Sequence, residues 1–413
     1  MLVARPSTRY ETIVSTCGTL PARSPNTQLT MAHWTVFDLF CGTGGFSYGM
    51  ERAALGFETR FGIDILPIAT QTFQRNHTGA FGMCGDIRKI RRAQVEDATG
   101  LGRHEVDVIV GGPPCQGFSS IRPFRSTNDD DPRNSLFEEY ASFVNYFRPK
   151  VFVLENVVGL ATHKDGETIE IMQECFRAVG YDCEWRLLNA ANYGVPQKRE
   201  RLIMIGGRDG VKPVFPQPTH HFSGPTIGYR DGSRVVRTNG GDLFTPSLPD
   251  AITVLDAISD LPPLESGEEV TSYQQPPRNE FQTARRNEAV ELKLHNATEH
   301  TRKMLEIIRH SGKNIDSIPR HLINSGFSTS YSRLDGDSPS VTLTVNFVHP
   351  ASNRCIHPTQ NRALTPREGA RIQSYDDTFE FSGNRTQVVK QIGNAVPPLL
   401  GRAIASAVAG MLS

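Results

Sequence analysis

The sequence predicts an α/β fold built on a doubly wound sheet, and three features of residues 31–211 support that prediction. Short apolar runs typical of buried parallel strands alternate with stretches whose apolar residues recur at helical spacing. A glycine-rich turn, residues 42–45, follows the first apolar run and precedes the first helical pattern. Polar or reactive side chains stand at the carboxyl ends of predicted strands, where open α/β sheets bind their ligands.

Strands are expected at residues 35–40, 58–63, 106–110, 151–154, 183–188 and 202–205, with a further strand ending just before Asp86. Helices are expected at residues 46–55, 134–147 and 168–179. Beyond residue 211 the chain is rich in proline and glycine, and residues 269–330 are polar and locally basic. The simplest interpretation of that basic stretch is a solvated surface, because acidic residues dilute its charge.

Three C-terminal elements are also predicted. Alternation over residues 342–347 predicts a strand, and Thr-Pro-Arg-Glu at the start of residues 365–374 predicts a capped helix. A last helix is expected at about residues 398–411.

Length and charge set broad limits on the kind of protein. The 413 residues can bury one large core and a smaller second one. Lysine plus arginine and aspartate plus glutamate both total 44, so any nucleic-acid site must be a local patch. No run of apolar residues approaches the length of a membrane span.

Seven cysteines are scattered along the chain, at positions 17, 41, 84, 115, 175, 183 and 355. No pair has the Cys-x-x-Cys spacing, so the sequence indicates neither a zinc site nor a disulfide framework. The odd number fits a reducing cytosol, and we expect a cytoplasmic protein.

Residues 1–30 contain few apolar residues and show no periodicity. They carry three arginines and one acid, a composition that faintly resembles an organelle transit peptide. We favour a disordered tail, or a start codon assigned too early. Met31 would then be the true start, because it directly precedes the first predicted strand.

The most informative stretch is Gly-Gly-Pro-Pro-Cys-Gln-Gly-Phe-Ser at residues 111–119, directly after a predicted strand. Two glycines and two prolines stop the strand and hold Cys115 in a stiff loop. A thiol there is well placed to act as a nucleophile through its thiolate. The alternative, a buried structural cysteine, is less compatible with a proline-rich loop at a strand end.

Five features follow predicted strands: the glycine turn, Asp64, Asp86, Cys115 and Glu155. In a doubly wound sheet these strand ends share one edge, so all five can line one cleft. The turn lacks the third glycine of a dinucleotide-binding fingerprint, because Ser47 stands there. An acid about 20 residues after such glycines commonly binds ribose hydroxyls. Taken singly, either aspartate is equally well explained as a cap or turn residue.

Six short blocks stand in the order of a known enzyme family. They are residues 38–45 (DLFCGTGG), 113–116 (PPCQ), 155–157 (ENV), 197–201 (QKRER), 367–371 (REGAR) and 393–397 (GNAVP). With these blocks the chain closely resembles the cytosine-C5 DNA methyltransferases, the bacterial modification enzymes, from about Thr35 to the C-terminus. No position that the family uses for chemistry departs from its pattern, and only residues 269–330 match no shared pattern.

The resemblance implies a Rossmann-like class I methyltransferase fold, with a mixed sheet, helices on both faces and a smaller target-recognition domain. It implies S-adenosylmethionine as cofactor, S-adenosylhomocysteine as product, no metal, and cytosine C5 in double-stranded DNA as methyl acceptor. Leu136 and Val396 are equally well explained as core residues. The cofactor-binding positions that the resemblance carries over are Phe40, Gly42, Gly44, Gly45, Asp64, Ile65, Asp86, Ile87, Pro114, Leu136, Asn394 and Val396.

Four residues receive catalytic roles from the resemblance. C5 of cytosine is a poor nucleophile until a thiolate adds to C6, so Cys115 is the expected nucleophile. Negative charge then moves toward N3 and O2, where a protonated Glu155 and Arg201 are expected, with Arg199 supporting the cluster. Considered alone, Glu155 would be a helix-capping acid and the arginines would be surface charges.

Because the target cytosine is stacked inside a duplex, the resemblance implies that the base is flipped out. We expect a catalytic domain at residues 31–211, a recognition domain at 212–385 that reads bases through about 269–330, and a returning C-terminal segment at 386–413. Arg367 and Arg371 should organise the recognition domain or contact phosphates.

The expected protein is a monomer, not bound to a membrane, and associated with the bacterial nucleoid through DNA. It would be either a solitary methylase or the modification enzyme of a restriction system, with a cognate endonuclease that acts on the same site.

Three alternatives fit less well. A transfer-RNA cytosine methyltransferase on the same scaffold would carry a Cys-Phe-Thr motif, which is absent from the sequence. An oxidoreductase on a nucleotide-binding fold would leave Cys115, Glu155 and Arg201 without roles. A catalytically inactive DNA-binding regulator would be marked by loss of the cysteine or the glutamate, and both are present.

Overall fold

The computed structural model describes residues 33–114, 135–224, 226, 228–238, 247–323 and 326–413. The predicted tail at residues 1–30 and the candidate nucleophile Cys115 lie outside the described residues.

The first half of the chain forms one sheet of seven strands, which confirms the predicted α/β fold. Its strands are β1 (Trp34–Leu39), β2 (Phe57–Asp64), β3 (Phe81–Cys84), β4 (Val108–Gly111), β5 (Val151–Val157), β6 (Tyr181–Asn189) and β8 (Glu200–Arg208). Their order is β3-β2-β1-β4-β5-β8-β6. The sheet is mixed, because β1 to β5 pair in parallel whereas β8 runs antiparallel to both of its neighbours.

The described helices alternate with these strands and continue beyond them. They are α1 (Gly45–Glu51), α2 (Pro67–Asn76), α3 (Arg92–Thr99), α4 (Ser135–Phe147), α5 (Gly159–Thr162), α6 (Glu167–Ala178), α7 (Val254–Ile258), α8 (Glu280–Arg286), α9 (Arg302–Arg309), α10 (Pro366–Ile372), α11 (Arg385–Asn394) and α12 (Pro398–Leu412). Short 3-10 turns lie at Ile87–Lys89, His163–Gly166, Ala190–Tyr193, Gly232–Arg234, Ile315–Ser317 and Arg320–Leu322. A parallel pair of two-residue strands, β7 (Gln197–Lys198) and β9 (Ser340–Val341), joins distant parts of the chain.

Helices cover both faces of the sheet, as predicted. Successive side chains of a strand point to opposite faces, and β1 shows both packing environments. Phe37 packs in a core cluster with aromatic residues of α4 and α6, such as Phe143 and Phe176. Val36 packs in a second cluster with Leu400 and other residues of α12. The last helix therefore returns to the first strand.

The strand order reverses between β1 and β4. The chain moves outward from β1 to β2 and β3 on one side, and from β4 to β5 on the other. In open α/β sheets this reversal opens a crevice outside the carboxyl ends of the two central strands. The glycine turn follows β1 and the loop toward Cys115 follows β4, so both begin at that crevice.

A separate apolar cluster forms beyond the sheet, from α7, α8, α10, α11 and the segments between them. A smaller cluster of Ile307, Ile318 and Leu322 lies within the stretch predicted to read bases. The domain boundaries predicted at residues 211 and 385 stay predictions. The apolar face of α11 belongs to the separate cluster, whereas that of α12 belongs to the sheet.

Buried ion pairs organise the second half of the chain. Arg367 and Arg371 are fully buried, and both contact Asp377, at 3.3 and 2.5 Å. Arg371 Nη1 also lies 3.3 Å from Asp260 Oδ1. Arg286, one of the basic residues of the stretch at 269–330, contacts the same Asp260 at 2.8 Å. Arg367 and Arg371 therefore hold this part of the core together, and whether it forms the recognition domain stays a prediction.

Two strand predictions were wrong. Glu155 does not follow its strand but lies inside β5, because antiparallel β8 pairs with β5 as far as Val157. Residues 342–347 form no strand: only Ser340–Val341 pairs with another strand, and the chain then turns. The predicted helix at residues 365–374 is confirmed as α10, and Thr365 and Glu368 form its capping box.

One stretch, Arg385–Leu412, is long and apolar enough to cross a membrane by length and composition, which the sequence reading overlooked. The fold divides this stretch into α11 and α12 around Pro397. Leu400, Ile404 and Val408 of α12 are buried against the sheet. Core packing therefore accounts for its apolar residues.

Candidate functional site

The glycine turn bends sharply between β1 and α1. Phe40 and Gly42 have φ values of 59° and 53°, a left-handed conformation that is uncommon for a side chain as large as phenylalanine. His77 occupies the space that a Cβ at Gly44 would need. A Cβ at Gly42, in contrast, would meet no described atom within 4 Å. The turn is thus packed on one side and open at Gly42, as a ligand cradle requires.

A set of buried, hydrogen-bonded polar side chains supports the turn. Ser47 Oγ donates to Asp38 Oδ2 at 2.6 Å, and His77 Nε2 lies 3.1 Å from the same hydroxyl. Burial raises the pKa of Asp38 to about 7 and lowers the pKa of His77 to about 4. Ser47, which broke the dinucleotide fingerprint in the sequence, therefore has a structural role in this turn.

Asp64 ties the end of β2 to the turn. Its carboxylate accepts from the backbone N–H groups of Gly42 and Leu66, at 3.0 and 2.8 Å. Burial raises the pKa of Asp64. Ile65, the next residue, is 62 % exposed, although large apolar side chains are usually buried. The Asp64 carboxylate can accept further hydrogen bonds and lies beside an exposed apolar side chain. This combination fits a ligand with hydroxyl groups and an aromatic ring.

Asp86 and Ile87 follow β3 but are engaged with the protein itself. Arg88 holds the Asp86 carboxylate with N–O distances of 2.6 to 3.1 Å, and its hydrogen bonds lower the pKa of Asp86. Ile87 is buried in the core cluster of the sheet. The cofactor contacts predicted for these two residues stay predictions.

The C-terminal segment reaches the same turn. A Cβ at Gly45 would lie 2.5 Å from the carbonyl oxygen of Val396, so this segment and α1 are in direct contact. Asn394 is exposed at the end of α11. Pro114 is also exposed, and Leu136 packs against the cluster that Phe40 contacts. The structure therefore brings Val396 to the glycine turn, and its predicted contact with the cofactor stays a prediction.

Glu155 and Arg201 form an ion pair beside the loop that leads to Cys115. Glu155 Oε1 lies 2.7 Å from Arg201 Nε, and the two side chains are only 12 and 13 % exposed. A Cβ at Gly112 would lie 2.9 Å from Glu155 Oε2. Asn156 Nδ2 donates to the carbonyl of Pro113 at 2.9 Å, which fixes the loop to β5. The antiparallel pairing of β5 with β8 makes the Glu155–Arg201 ion pair possible, because it sets Val157 opposite Arg201.

Arg199 lies close to this pair but binds elsewhere. Its Nη1 and Nη2 donate to the carbonyls of Gly393 and Asn394, at 3.2 and 3.4 Å. These carbonyls end α11, where a positive charge is favourable. Burial lowers the pKa of Arg199 to about 9, and the charge of Arg201 adds to the effect. Arg199 therefore holds the chain just before β8 to the end of α11, which leads to the segment that reaches the glycine turn.

Sequence reasoning missed three side chains at this site. Asn156 stood within a quoted motif, and its amide is a usual hydrogen-bond donor to backbone. Thr43 stood within the glycine turn, and its hydroxyl lies 2.6 Å from that of Tyr375. No signal in the sequence could have indicated that contact, because 332 positions separate the two residues.

Comparisons with known proteins identify the family of the chain. A family model described as C-5 cytosine-specific DNA methylase matches residues 34–410. Type II methyltransferase M.AgeI of Thalassovita gelatinovora is 33% identical over 90% of this chain and 98% of its own length. Type II methyltransferase M1.HphI of Haemophilus parahaemolyticus is 35% identical over 91% of this chain and 87% of its own.

Solved structures show the same fold. An E. coli prophage protein described as a DNA modification methyltransferase superposes with a TM-score of 0.68 at 25% identity, covering 92% of this chain and 99% of its own. Spodoptera frugiperda DNMT2 superposes with a TM-score of 0.56 at 15% identity, covering 91% and 99%. The chain belongs to the C-5 cytosine-specific DNA methylase family, whose members use S-adenosylmethionine, and it is a DNA cytosine-5-methyltransferase.

Proposed function

We propose that this enzyme methylates C5 of a flipped-out cytosine within a specific double-stranded DNA sequence, through a covalent bond between Cys115 and C6. The Glu155–Arg201 pair carries the proposal, because it lies against Gly112, three residues before Cys115. A nucleophile and two groups that can stabilise the charge it generates would thus converge on one base.

Each group has a distinct task in the proposed reaction. The Cys115 thiolate adds to C6, and the charge that moves onto the ring is met at N3 and O2. Arg201 holds Glu155 Oε1, so Oε2, on the side of Gly112, is the oxygen that would hold a proton toward N3. The described bonds of Arg201 use Nε and Nη1, the latter to the carbonyl of Glu200, which leaves Nη2 for O2.

The bond to Cys115 must be broken again after the methyl group has moved. C5 then carries both the methyl group and its original hydrogen. Loss of that hydrogen as a proton returns an electron pair to the ring, and the thiolate leaves C6. Asn156 and Arg199 act as supports, one for the loop before Cys115 and the other for the end of α11.

We propose that S-adenosylmethionine occupies the crevice at the glycine turn, leaves as S-adenosylhomocysteine, and is used without a metal. It supplies an activated methyl group. Gly42 would let the ligand approach the backbone, Asp64 would bind the ribose hydroxyls, and Ile65 would pack on the adenine. The remaining predicted cofactor contacts are proposed with these three.

Replacing Asp64 with alanine is expected to weaken binding of S-adenosylhomocysteine by about 1.5–3 kcal/mol, the scale of a hydrogen bond to a charged group. Isothermal titration calorimetry measures this directly. Asp107→Ala is the control, because Asp107 also accepts from a backbone N–H, that of Thr35, but at the opposite end of β1. Equal affinities of the folded Asp64 variant and the wild type would remove Asp64 from the cofactor site.

For the DNA, we propose that residues 212–385 hold the duplex and that about 269–330 read the target bases. The proposed enzyme is a cytoplasmic monomer that acts on the bacterial nucleoid. It is either solitary or paired with a restriction endonuclease for the same site.

Exchanging residues 269–330 for the corresponding segment of a relative with another target should transfer the methylated sequence to that of the donor. Base-edge contacts specify sequence, whereas phosphate contacts only position the protein. Arg285 and Arg286 should be retained in the chimera, because they pair with Asp376 and Asp260 in the core. A folded chimera that still marks the original site would place the reader elsewhere.

Bisulfite sequencing of DNA from cells that express the gene tests the proposed function as a whole. We expect protected cytosines at one position of one short sequence. Conversion of every cytosine, with the folded protein present, would contradict the proposal.

A further inference from the structure

The segment Ser374–Ser382, called the strap below, contributes Tyr375 and Phe379 to the apolar cluster beyond the sheet and also contacts the sheet half of the molecule. Toward the sheet, the Glu380 backbone N–H donates to Asn76 Oδ1 at 2.9 Å, and the Ser382 N–H donates to Thr72 Oγ1 at 2.9 Å. Both partners are on α2. The strap therefore packs against the half of the molecule that carries the glycine turn.

The other side of the strap is anchored in the second half of the chain. Arg285 Nη1 donates to the Ser374 carbonyl at 2.7 Å, and Tyr273 Oη donates to Asp377 Oδ2 at 2.6 Å. Arg371 holds the same carboxylate at 2.5 Å. The strap is thus a fixed part of the region proposed to hold DNA.

Tyr375 extends from the strap to the glycine turn itself. Its hydroxyl lies 2.6 Å from Thr43 Oγ1 and occupies the space that a Cβ at Gly45 would need. Tyr375 is 0 % exposed and Thr43 is 2 % exposed. In the described part of the chain neither hydroxyl has another hydrogen-bond partner, so each depends on the other to be satisfied.

The Tyr375–Thr43 contact lies next to the open part of the glycine turn. Thr43 lies between Gly42, whose Cβ position is open, and Gly44, the left-handed residue that directly precedes α1. Glycines give the turn its shape but also leave its backbone free to adopt others. Thr43 is the only one of residues 42–45 with a side chain, so its bond to Tyr375 is the one hydrogen bond that a side chain of the turn itself makes, whereas Asp64 holds the backbone N–H of Gly42.

We propose that Tyr375 is a positioning residue for the cofactor: its bond to Thr43 fixes the glycine turn in the shape that binds the methionine end of S-adenosylmethionine. The cofactor site is then incomplete without a residue from the region that holds DNA. This inference rests on the cofactor site proposed above. Tyr375 does not contact the cofactor or the base and acts through Thr43.

Tyr48 provides a matched control. It is also a buried tyrosine at the contact between α1 and the strap, and its hydroxyl donates to Asp376 Oδ2 at 2.8 Å. Tyr48 therefore makes a bond of the same kind to the same strap, but its partner is not in the glycine turn. The Tyr48 hydroxyl also accepts from Arg52 Nη2 at 3.0 Å, so Tyr48→Phe should lower the melting temperature at least as much as Tyr375→Phe, which leaves the Thr43 hydroxyl unpaired.

The affinity for S-adenosylhomocysteine is expected to differ between the two variants. Tyr375→Phe should raise Kd, and the KM for S-adenosylmethionine, about tenfold with kcat retained at saturating cofactor. Tyr48→Phe should leave both constants unchanged. Thr43→Val should match Tyr375→Phe, Thr43→Ser should retain wild-type affinity, and the Thr43→Val/Tyr375→Phe double variant should be no weaker than either single variant.

Two results would overturn the proposal. One is wild-type affinity in Tyr375→Phe or, should that variant not fold, in Thr43→Val. The other is an equal loss of affinity in Tyr48→Phe, which would show that any loosening of the strap has the same effect. A wild-type enzyme that fails to bind S-adenosylhomocysteine at all would instead contradict the proposed cofactor site.

Discussion

Replacing Cys115 with serine is expected to lower the rate of methyl transfer by a factor on the order of 10⁴ or more, with DNA and cofactor binding retained. The proposed reaction needs an anionic nucleophile at C6, and a serine hydroxyl is not ionised near neutral pH, whereas a thiol can be. The measurement is incorporation of labelled methyl groups into DNA, with DNA affinity measured alongside at a fixed salt concentration.

Cys84 supplies the control for this substitution. Cys84 is an exposed cysteine at the carboxyl end of a parallel strand, β3, and it lies outside the crevice between β1 and β4. Cys84→Ser should therefore methylate DNA at the wild-type rate. Substantial activity in Cys115→Ser would mean that another group attacks C6, or that no covalent bond is formed.

The second large effect is expected at Glu155. Glutamine keeps the shape of this side chain but can neither hold a proton for N3 nor pair as an anion with Arg201. Proton transfer by a positioned side chain contributes about 10²–10⁴-fold to rate, so Glu155→Gln should lower kcat by that factor while cofactor affinity stays unchanged. Steady-state kinetics with a duplex that contains the target site gives both values.

Glu155→Gln also removes an ion pair, and Glu139 provides a control for that loss. Glu139 pairs with Arg92 at 2.5 Å with comparable exposure, but on α4 and away from the strand ends. Glu139→Gln should cost some stability and leave kcat unchanged. If the Glu155 and Glu139 variants had equal rates, Glu155 would be a structural residue.

Local signals in the sequence were sufficient for most of the sheet. β4 is an apolar run that ends at a glycine, β1 leads into the glycine turn, β2 ends at Asp64, and α4 has helical spacing, so each was predicted within a few residues of its observed bounds. The capping box of Thr365 and Glu368 likewise identified the start of α10. These features depend on residues that are neighbours in the chain.

Errors arose where a partner from elsewhere decides the structure. β5 continues past Glu155 because β8 pairs with it, and no residue near Glu155 signals that pairing. Residues 342–347 alternate like a strand, but the pairing with β7 involves the preceding Ser340–Val341 and does not extend into them. Arg285 and Arg286 looked like surface charges, but their carboxylate partners, Asp376 and Asp260, are distant in sequence.

In the candidate site, too, features set by neighbouring residues were predicted and features set by distant partners were not. The motifs indicated the glycine turn, Asp64, Glu155 and Arg201 as candidates. In the structure Glu155 pairs with Arg201, and Asp64 accepts from the backbone N–H of Gly42. The contact of Tyr375 with Thr43 requires the complete fold, because its two residues come from opposite ends of the chain.

The central claim is the covalent bond between Cys115 and C6, and DNA with 5-fluorocytosine at the target position tests it most directly. After methyl transfer, fluorine replaces the hydrogen that must leave C5 as a proton, so the thiolate cannot be released. We expect a protein–DNA complex that survives denaturing electrophoresis, requires S-adenosylmethionine, and is absent with Cys115→Ser. Mass spectrometry of the digested complex should find the nucleotide on the peptide that contains Cys115. A nucleotide attached to another residue, or an equally stable complex with Cys115→Ser, would contradict the account.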